Sequence, residues 1–271
     1  MWTAANRLLK GNLPGCHRLI KRAAGSWIEA ENPFPLPKRV AGRLVWAHPG
    51  LLTAQVTEPH VLRWITEALR PEDTFFDIGA HCGWMSVIAA KRTGRKGQVR
   101  AFEPSPVLAR IVRYHARVNR LPQLEVIAKA VSDTDSDGVP FYLVNQGLSF
   151  RSSLTIGSDD TRHIQAAEKT RIQVPSITLD RYCSSHNLVP HLIKIDVEGA
   201  ELLVLRGAEM TLARHRPRLI VGVHPHWLPR DQTAAQVFQL LEGHGYRIED
   251  ASVISFEGAD FGDYLLTGDS E

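Results

Sequence analysis

Apolar and polar positions along this chain alternate between two periods, short solid apolar runs and longer stretches with helical spacing. Residues 74 to 78 form such a run, and Trp84 to Ala90 follow with apolar residues three and four apart. The first pattern predicts a strand buried on both faces of a parallel sheet, the second a helix packed on it. Carried along the chain, the pattern predicts a helix over 59–69, strand 74–78, helix 83–92, strand 98–102, helix 105–119 and strand 124–130. It resumes with strand 191–195, helix 199–213, strand 217–223, helix 232–242, strand 245–248 and a last strand near 263–266. Strictly alternating strands and helices imply an α/β fold, a three-layer sandwich with a mostly parallel sheet.

Between these two runs the rhythm lapses. Val139 to Val144 and Arg171 to Val174 are extended segments that bracket a polar stretch, Asn145 to Thr170, in an insertion near 138–175. That stretch is long for a connector and suits a lid, with Arg151 and Arg162 available to an acidic group on a ligand. Ahead of the alternation, His17 to Ile28 places Leu19, Ile20, Ala23, Ala24, Trp27 and Ile28 on one helical face and Arg18, Lys21 and Arg22 on the other. Such a helix either packs on the domain or lies on an anionic membrane surface. Asn32 to Pro37 reads as a proline linker, and Leu44–Trp46 with Leu51–Val56 as a small edge hairpin. The division is therefore a 1–57 extension and a 58–271 domain.

Composition narrows the partners. The net charge of +3 is uneven: residues 1 to 43 hold eight Lys/Arg against two Asp/Glu, and the rest 24 against 27. A domain that is not basic is a poor match for a nucleic-acid substrate. The three cysteines, Cys16, Cys82 and Cys183, have neither C-x-x-C nor framework spacing, which indicates a reducing, cytoplasmic setting without a zinc site or disulfide scaffold. No run approaches the roughly 20 apolar residues that span a bilayer.

Candidate chemistry gathers where apolar runs stop. The first ends in Asp77-Ile-Gly-Ala-His-Cys-Gly, whose Gly79 and Gly83 permit a tight turn close to a ligand. Twenty residues later a second run ends in Glu103, the position from which open α/β sheets grip a ribose diol. A dinucleotide site would need Gly-x-Gly-x-x-Gly and no acid ahead of the turn, since Asp77 repels pyrophosphate. The same acid suits a ligand with ammonium and sulfonium charges, as in S-adenosylmethionine. Farther on, Asp196 and Lys194 share one face of a strand end, and His224 and His226 follow the next strand. Asp196 is either a catalytic carboxylate or a helix N-cap, Lys194 its positioning partner or a buried counter-charge, and His224 a proton acceptor if its pKa is near neutral. Glu198 and Glu201 read as complements of a helix N-terminus. Asp196, Glu198 and His224 offer metal donors without a fixed spacing, so no metal is assigned.

His191-Leu-Ile-Lys-Ile-Asp-Val-Glu-Gly-Ala-Glu-Leu-Leu-Val-Leu-Arg-Gly-Ala, with Phe102-Glu-Pro-Ser-Pro, Ala130-Val-Ser-Asp and Thr178-Leu-Asp, resembles the FkbM-type S-adenosylmethionine-dependent methyltransferases. The resemblance runs from about Pro59 to Leu266. It implies a class I methyltransferase fold, Rossmann-like, with seven strands of which the last is antiparallel. The implied activity is O-methylation of a sugar, glycolipid or secondary-metabolite hydroxyl, with S-adenosyl-L-methionine as cofactor and a small-molecule or glycan acceptor. It places Asp77, Gly79 and Gly83 at the methionyl end, Glu103 on the ribose, Val131 and Ser132 at the adenine, and Asp196 beside the methyl. Many members carry an acid near the place of Gly222, which this chain lacks. A small-molecule N-methyltransferase and a non-catalytic cofactor-binding scaffold stay open. Val197-Glu198-Gly199 after Asp196 replaces the Pro-Pro block of nucleic-acid N-methyltransferases.

Overall fold

The structure, a computed structural model, describes residues 33–40, 42–51, 58–144, 154, 169–256 and 259–268. The expected basic helix at 17–28, most of the polar stretch 145–170 with Arg151 and Arg162, and residues 52–57 lie outside the described residues. Contacts divide the chain into two compact units, Met1–Val56 and Thr57–Glu271. In the first, β1 (Leu36–Val40) pairs antiparallel with β2 (Arg43–Ala47), Leu36 opposite Ala47 and Val40 opposite Arg43. The hairpin thus forms one strand earlier than expected, with Pro37 in β1 rather than in a linker. A two-stranded ribbon leaves outer edges on which proline forfeits no bond.

In the second unit, α1 (Pro59–Ala68) precedes β3 (Thr74–Ile78), α2 (Trp84–Thr93), β4 (Gln98–Phe102), α3 (Pro106–Val118) and β5 (Leu124–Ile127). A side sheet of β6 (Ala130–Val131), β7 (Ser136–Val144) and β8 (Lys169–Ile177) follows, in the order β6-β8-β7. The chain returns through α4 (Leu179–His186), β9 (Leu192–Ile195), α5 (Glu201–Arg206), α6 (Glu209–His215), β10 (Arg218–Val223), α7 (Ala234–Gly243), β11 (Tyr246–Phe256) and β12 (Ala259–Gly268). The seven-stranded sheet runs β11-β12-β10-β9-β3-β4-β5. Strands β10, β9, β3, β4 and β5 are parallel, and β12 runs antiparallel to both β10 and β11. The mostly parallel sheet is the one predicted from the alternation, and its seven strands with the last antiparallel are those that the resemblance implied.

All five residues of β3 are buried. Phe76 and Ile78 join Phe102, Ile193, Ile195, Val221 and the α5 residues Leu202 and Leu205 on one face. Phe75, with Val87 and Ile88 of α2 and Trp64 and Ile65 of α1, is equally buried. Removing this much apolar surface from water, at about 25 cal/mol per Å², is the main favourable contribution to the fold.

Three departures from the predicted elements have physical causes. The run 124–130 breaks after Ile127, and Ala130–Val131 joins β8 in the side sheet. The helix over 199–213 is two helices. A Cβ on Gly207 would stand 2.0 Å from the Ser132 carbonyl oxygen, and Asp180 starts α6 afresh by accepting the Met210 and Thr211 N–H groups. Thr178-Leu-Asp therefore serves caps at both ends, since Thr178 also accepts the Arg181 N–H to open α4. Finally, β11 extends to Phe256 past a register shift between Ile248 and Asp250. No helix among the described residues is long and apolar enough to cross a membrane.

Candidate active site

The sheet order reverses at β3, whose neighbours are β9 on one side and β4 on the other. In open α/β sheets such a reversal leaves a crevice beyond the carboxyl ends of the strands. Here it is a cleft whose empty space, open mouth included, is about 600 Å³, within the size of small-ligand sites. Gly79 and Ile78 of the β3 end, Phe102 and Glu103 of the β4 end, Val131, and Asp196 and Glu198 beyond β9 line it. His81, Lys129, Phe141 and Leu154 line it too, and the sequence reading named none of them.

The Gly79 turn is tight for reasons internal to the protein. Gly79 has φ +78°, and a Cβ there would lie 1.9 Å from the Asp196 carbonyl oxygen. Gly83 has φ +81°, and its Cβ would press on Val112 of α3 at 2.8 Å. Of the two, Gly79 borders the cleft; Gly83 lets α2 start against α3.

Glu103 is nearly buried and faces the cleft. Its Oε2 accepts the His81 N–H at 2.7 Å and its Oε1 the Ser105 N–H at 2.8 Å. A carboxylate has about four lone-pair sites, so each oxygen keeps one for a ligand donor, which fits a vicinal diol. Burial pushes its pKa up to about 7, against the backbone bonds from Ser105 and His81, which lower it. Val131 offers an apolar wall. Ser132 sits just behind it, its N–H donating to Ile177 O and its hydroxyl 3.2 Å from Asp133 Oδ1, and it is not part of the lining.

Asp77 is fully buried and turns inward. Ser86 Oγ donates to its Oδ2 at 2.5 Å, and Lys194 Nζ stands 3.6 Å from Oδ1. The two residues are register partners across β3 and β9. Lys194 also lies 3.1 Å from Asp196 Oδ2 and donates to Gly79 O at 3.4 Å. Burial opposes its charge, but Asp196 and Asp77 outweigh burial and hold its pKa above the ordinary lysine range. One ammonium between two carboxylates leaves this trio net negative, which favours a cationic ligand beside it.

On the other side of Asp196 stands His224, beyond β10. Its Nδ1 lies 3.4 Å from Glu201 Oε1 and its Nε2 3.9 Å from Glu198 Oε2. Its ring stacks on Trp227 at 4.9 Å. Burial would lower its pKa, but Glu198, the Glu201 hydrogen bond and Asp196 together raise it to about 10. The surrounding carboxylates thus push the ring's pKa above the near-neutral value that would suit a proton acceptor. Glu201 complements the N-terminus of α5 as expected, lying in its first turn, and both acids also border the His224 ring. Glu198 lines the cleft at φ +56°, while Glu201, wholly buried, accepts the Gly199 N–H and faces His224.

Beside Gly222 of β10 lies a pair that sequence reasoning missed. His60 Nε2 of α1 lies 2.6 Å from Asp263 Oδ2 of β12, and Asp263 pairs in register with Gly222 of β10. A Cβ on Gly222 would meet Asp263 Oδ1 at 3.2 Å and Asp196 Oδ1 at 3.4 Å. Asp263 of the neighbouring strand thus brings a carboxylate beside Gly222, a placement visible only once the antiparallel register is known.

Residues 77–248 match the family described as the methyltransferase FkbM domain. Among curated proteins, the chain is 26% identical over 291 residues to AMB antimetabolite synthetase AmbE of Pseudomonas aeruginosa, covering 91% of this chain and 13% of AmbE. It is 28% identical over 179 residues to hexuronic acid methyltransferase AglP of Haloferax volcanii, covering 65% of this chain and 66% of AglP. The chain thus spans less than two thirds of either relative. A putative rRNA methylase structure from Clostridium thermocellum superposes with a TM-score of 0.50 at 10% identity, covering 81% of this chain and 100% of that one, a likeness of fold alone.

Proposed function

The chain belongs to the methyltransferase FkbM family, and on that premise we propose that it transfers a methyl group from S-adenosylmethionine to a hydroxyl oxygen of a sugar, glycolipid or secondary metabolite. The observation that carries this reading is Glu103, a carboxylate fixed by two backbone N–H groups and facing a cleft whose far end is Asp196. The residues suit the cofactor in three respects: Glu103 for the ribose hydroxyls, the apolar lining of Phe102, Val131, Phe141 and Leu154 for the adenine, and the net negative Asp77–Lys194–Asp196 end for the cationic methionyl group. When bound, S-adenosylmethionine supplies an electrophilic methyl on a cationic sulfur, which keeps the bond pair as the methyl leaves.

Residues of the chain do the rest. Asp196 has Oδ2 held by Lys194, leaving Oδ1 to accept a hydrogen bond from the acceptor hydroxyl. A carboxylate is too weak a base to ionise an alcohol beforehand, but it takes the proton as the new C–O bond forms and then gives it to solvent. Fixing the hydroxyl in line with the methyl contributes more than the proton transfer, because it replaces an encounter by a held geometry. A sugar acceptor draws support from AglP, which acts on a hexuronic acid.

The test is radiolabelled methyl transfer to a panel of uronic acids, hexoses and glycolipids, alongside calorimetric titration of S-adenosylhomocysteine. The expected result is acceptor-dependent turnover that Asp196→Asn lowers roughly 100-fold or more while homocysteine-analogue binding persists. Failure of the wild type to bind the analogue would overturn the reading, and binding without turnover on any acceptor would favour a scaffold.

A further inference from the structure

Asp196, Glu198 and His224 each direct one donor atom to a common space, the three atoms lying within 4.8 Å of one another. The 3.9 Å between His224 Nε2 and Glu198 Oε2 is too long for a hydrogen bond. It is a natural gap for two donors on one ion, since bonds of about 2.0–2.2 Å set neighbouring ligands roughly 3–4 Å apart. Two of the three donors are held from behind. Lys194 grips Oδ2 of Asp196 and frees Oδ1; Glu201 faces Nδ1 of His224 and leaves Nε2 to point inward. Histidines that ligate metals characteristically donate the other ring N–H to a carboxylate in this way.

Two further observations point to a missing cation. Glu198 Oε2 is buried without a hydrogen-bond partner, and so is Oε2 of Glu201, whose side chain has no exposure at all. Asp263 Oδ1 and Asp196 Oδ1 also both border the point where a Cβ on Gly222 would stand, at 3.2 and 3.4 Å. Four carboxylates therefore gather around a space whose cationic neighbours include Lys194, already shared between Asp77 and Asp196, and the imidazole of His224.

We propose that Asp196, Glu198 and His224 bind a divalent cation of the Mn²⁺ class at the acceptor end of the cleft. Two carboxylate oxygens and one imidazole suit such an ion, which leaves positions open to water and to oxygens of the acceptor. On binding, the ion takes the place of the proton on His224 Nε2, and that proton goes to solvent. With the ion bound, Asp196 Oδ1 serves as a ligand instead of as the hydroxyl's hydrogen-bond acceptor, and an acceptor hydroxyl coordinated to the ion is made more acidic and releases its proton to solvent as the C–O bond forms. This role rests on the methyl-transfer reading, whereas the ion site rests on the side chains alone.

The full chain, stripped with chelator and free of cofactor and acceptor, is titrated with Mn²⁺ while free ion is followed by electron paramagnetic resonance. One saturable site per chain is expected, weakened at least tenfold by Glu198→Gln and by His224→Gln, and tenfold to a hundredfold by Glu201→Gln. Near-ultraviolet dichroism identifies variants that keep the native packing, and the near-isosteric Glu198→Gln decides the matter if His224→Gln does not fold. No saturable site in the wild type, or one undiminished in folded Glu198→Gln, overturns the proposal. Because the titration contains no S-adenosylhomocysteine, Mn²⁺ binding without analogue binding would sink the cofactor reading and spare the ion site, and the converse would do the opposite.

Discussion

Glu103 is poised so that its charge changes close to neutral pH, and cofactor affinity should follow it. A carboxyl with a pKa of about 7 is roughly one tenth ionised at pH 6 and nine tenths at pH 8. Ribose hydroxyls donate to the ionised form and so lower the pKa in the complex. Binding then releases a proton below pH 7, and affinity rises with pH until the free carboxyl is ionised. The expected gain in S-adenosylhomocysteine affinity from pH 6 to pH 8 is about tenfold, near 1.4 kcal/mol. Glu103→Gln removes the titration and the charge, and its amide cannot accept both the His81 and Ser105 N–H groups. Its affinity should be roughly 10- to 100-fold lower than wild type at pH 8 and flat across the range. Calorimetry in buffers of different ionisation enthalpy counts the protons: close to one released by wild type at pH 6, none by the variant. An equal slope in Glu103→Gln would show that Glu103 does not hold the ligand, and a flat wild-type profile would show that its charge does not change near neutral pH.

Two stability measurements probe the framework under the cleft. Gly79→Ala forces a left-handed backbone on alanine and drives its Cβ into the Asp196 carbonyl, so urea denaturation should register a loss of about 2–4 kcal/mol. An unchanged midpoint would mean that β3 and β9 separate here without cost. Lys194→Met strands two carboxylates around an apolar side chain and should cost about 3–5 kcal/mol at pH 7. Adding Asp77→Asn should restore part of that loss, and the double variant's denaturation curve checks it.

What was legible in the sequence was what depends on a single segment. Thr74 to Ile78 declared itself as an apolar run buried on both faces, and Gln98 to Phe102 by leading into Glu103, the carboxylate that faces the cleft. Lys194 and Asp196 could be put on one strand face by counting alone, and their charged groups are 3.1 Å apart. Features that need two segments were hidden. The placement of Asp263 beside Gly222 depends on the β10–β12 register, and the hold of His81 and Ser105 on Glu103 depends on two turns meeting. Helix α4 is short and polar outside Leu179, Tyr182 and Cys183, so periodicity alone could not separate it from a loop. The break at Gly207 comes from the Ser132 backbone passing beside it, a neighbour more than seventy residues earlier in the chain.

The shared hold of Lys194 on Asp77 and Asp196 also bears on when the cleft comes into being. Lys194 and Gly79 are 115 positions apart, so the seam between β3 and β9 is a long-range closure whose entropy must be met before its contacts repay it. The chain up to the end of the side sheet carries Glu103 and the glycine turn but leaves Asp77 without its ammonium. Only when β9 docks is that charge answered and the second wall of the cleft supplied. A ligand reaching from Glu103 to Asp196 thus acts as a removable clamp between an early and a late half of the chain, and it opposes their parting by RT ln(1 + [L]/Kd).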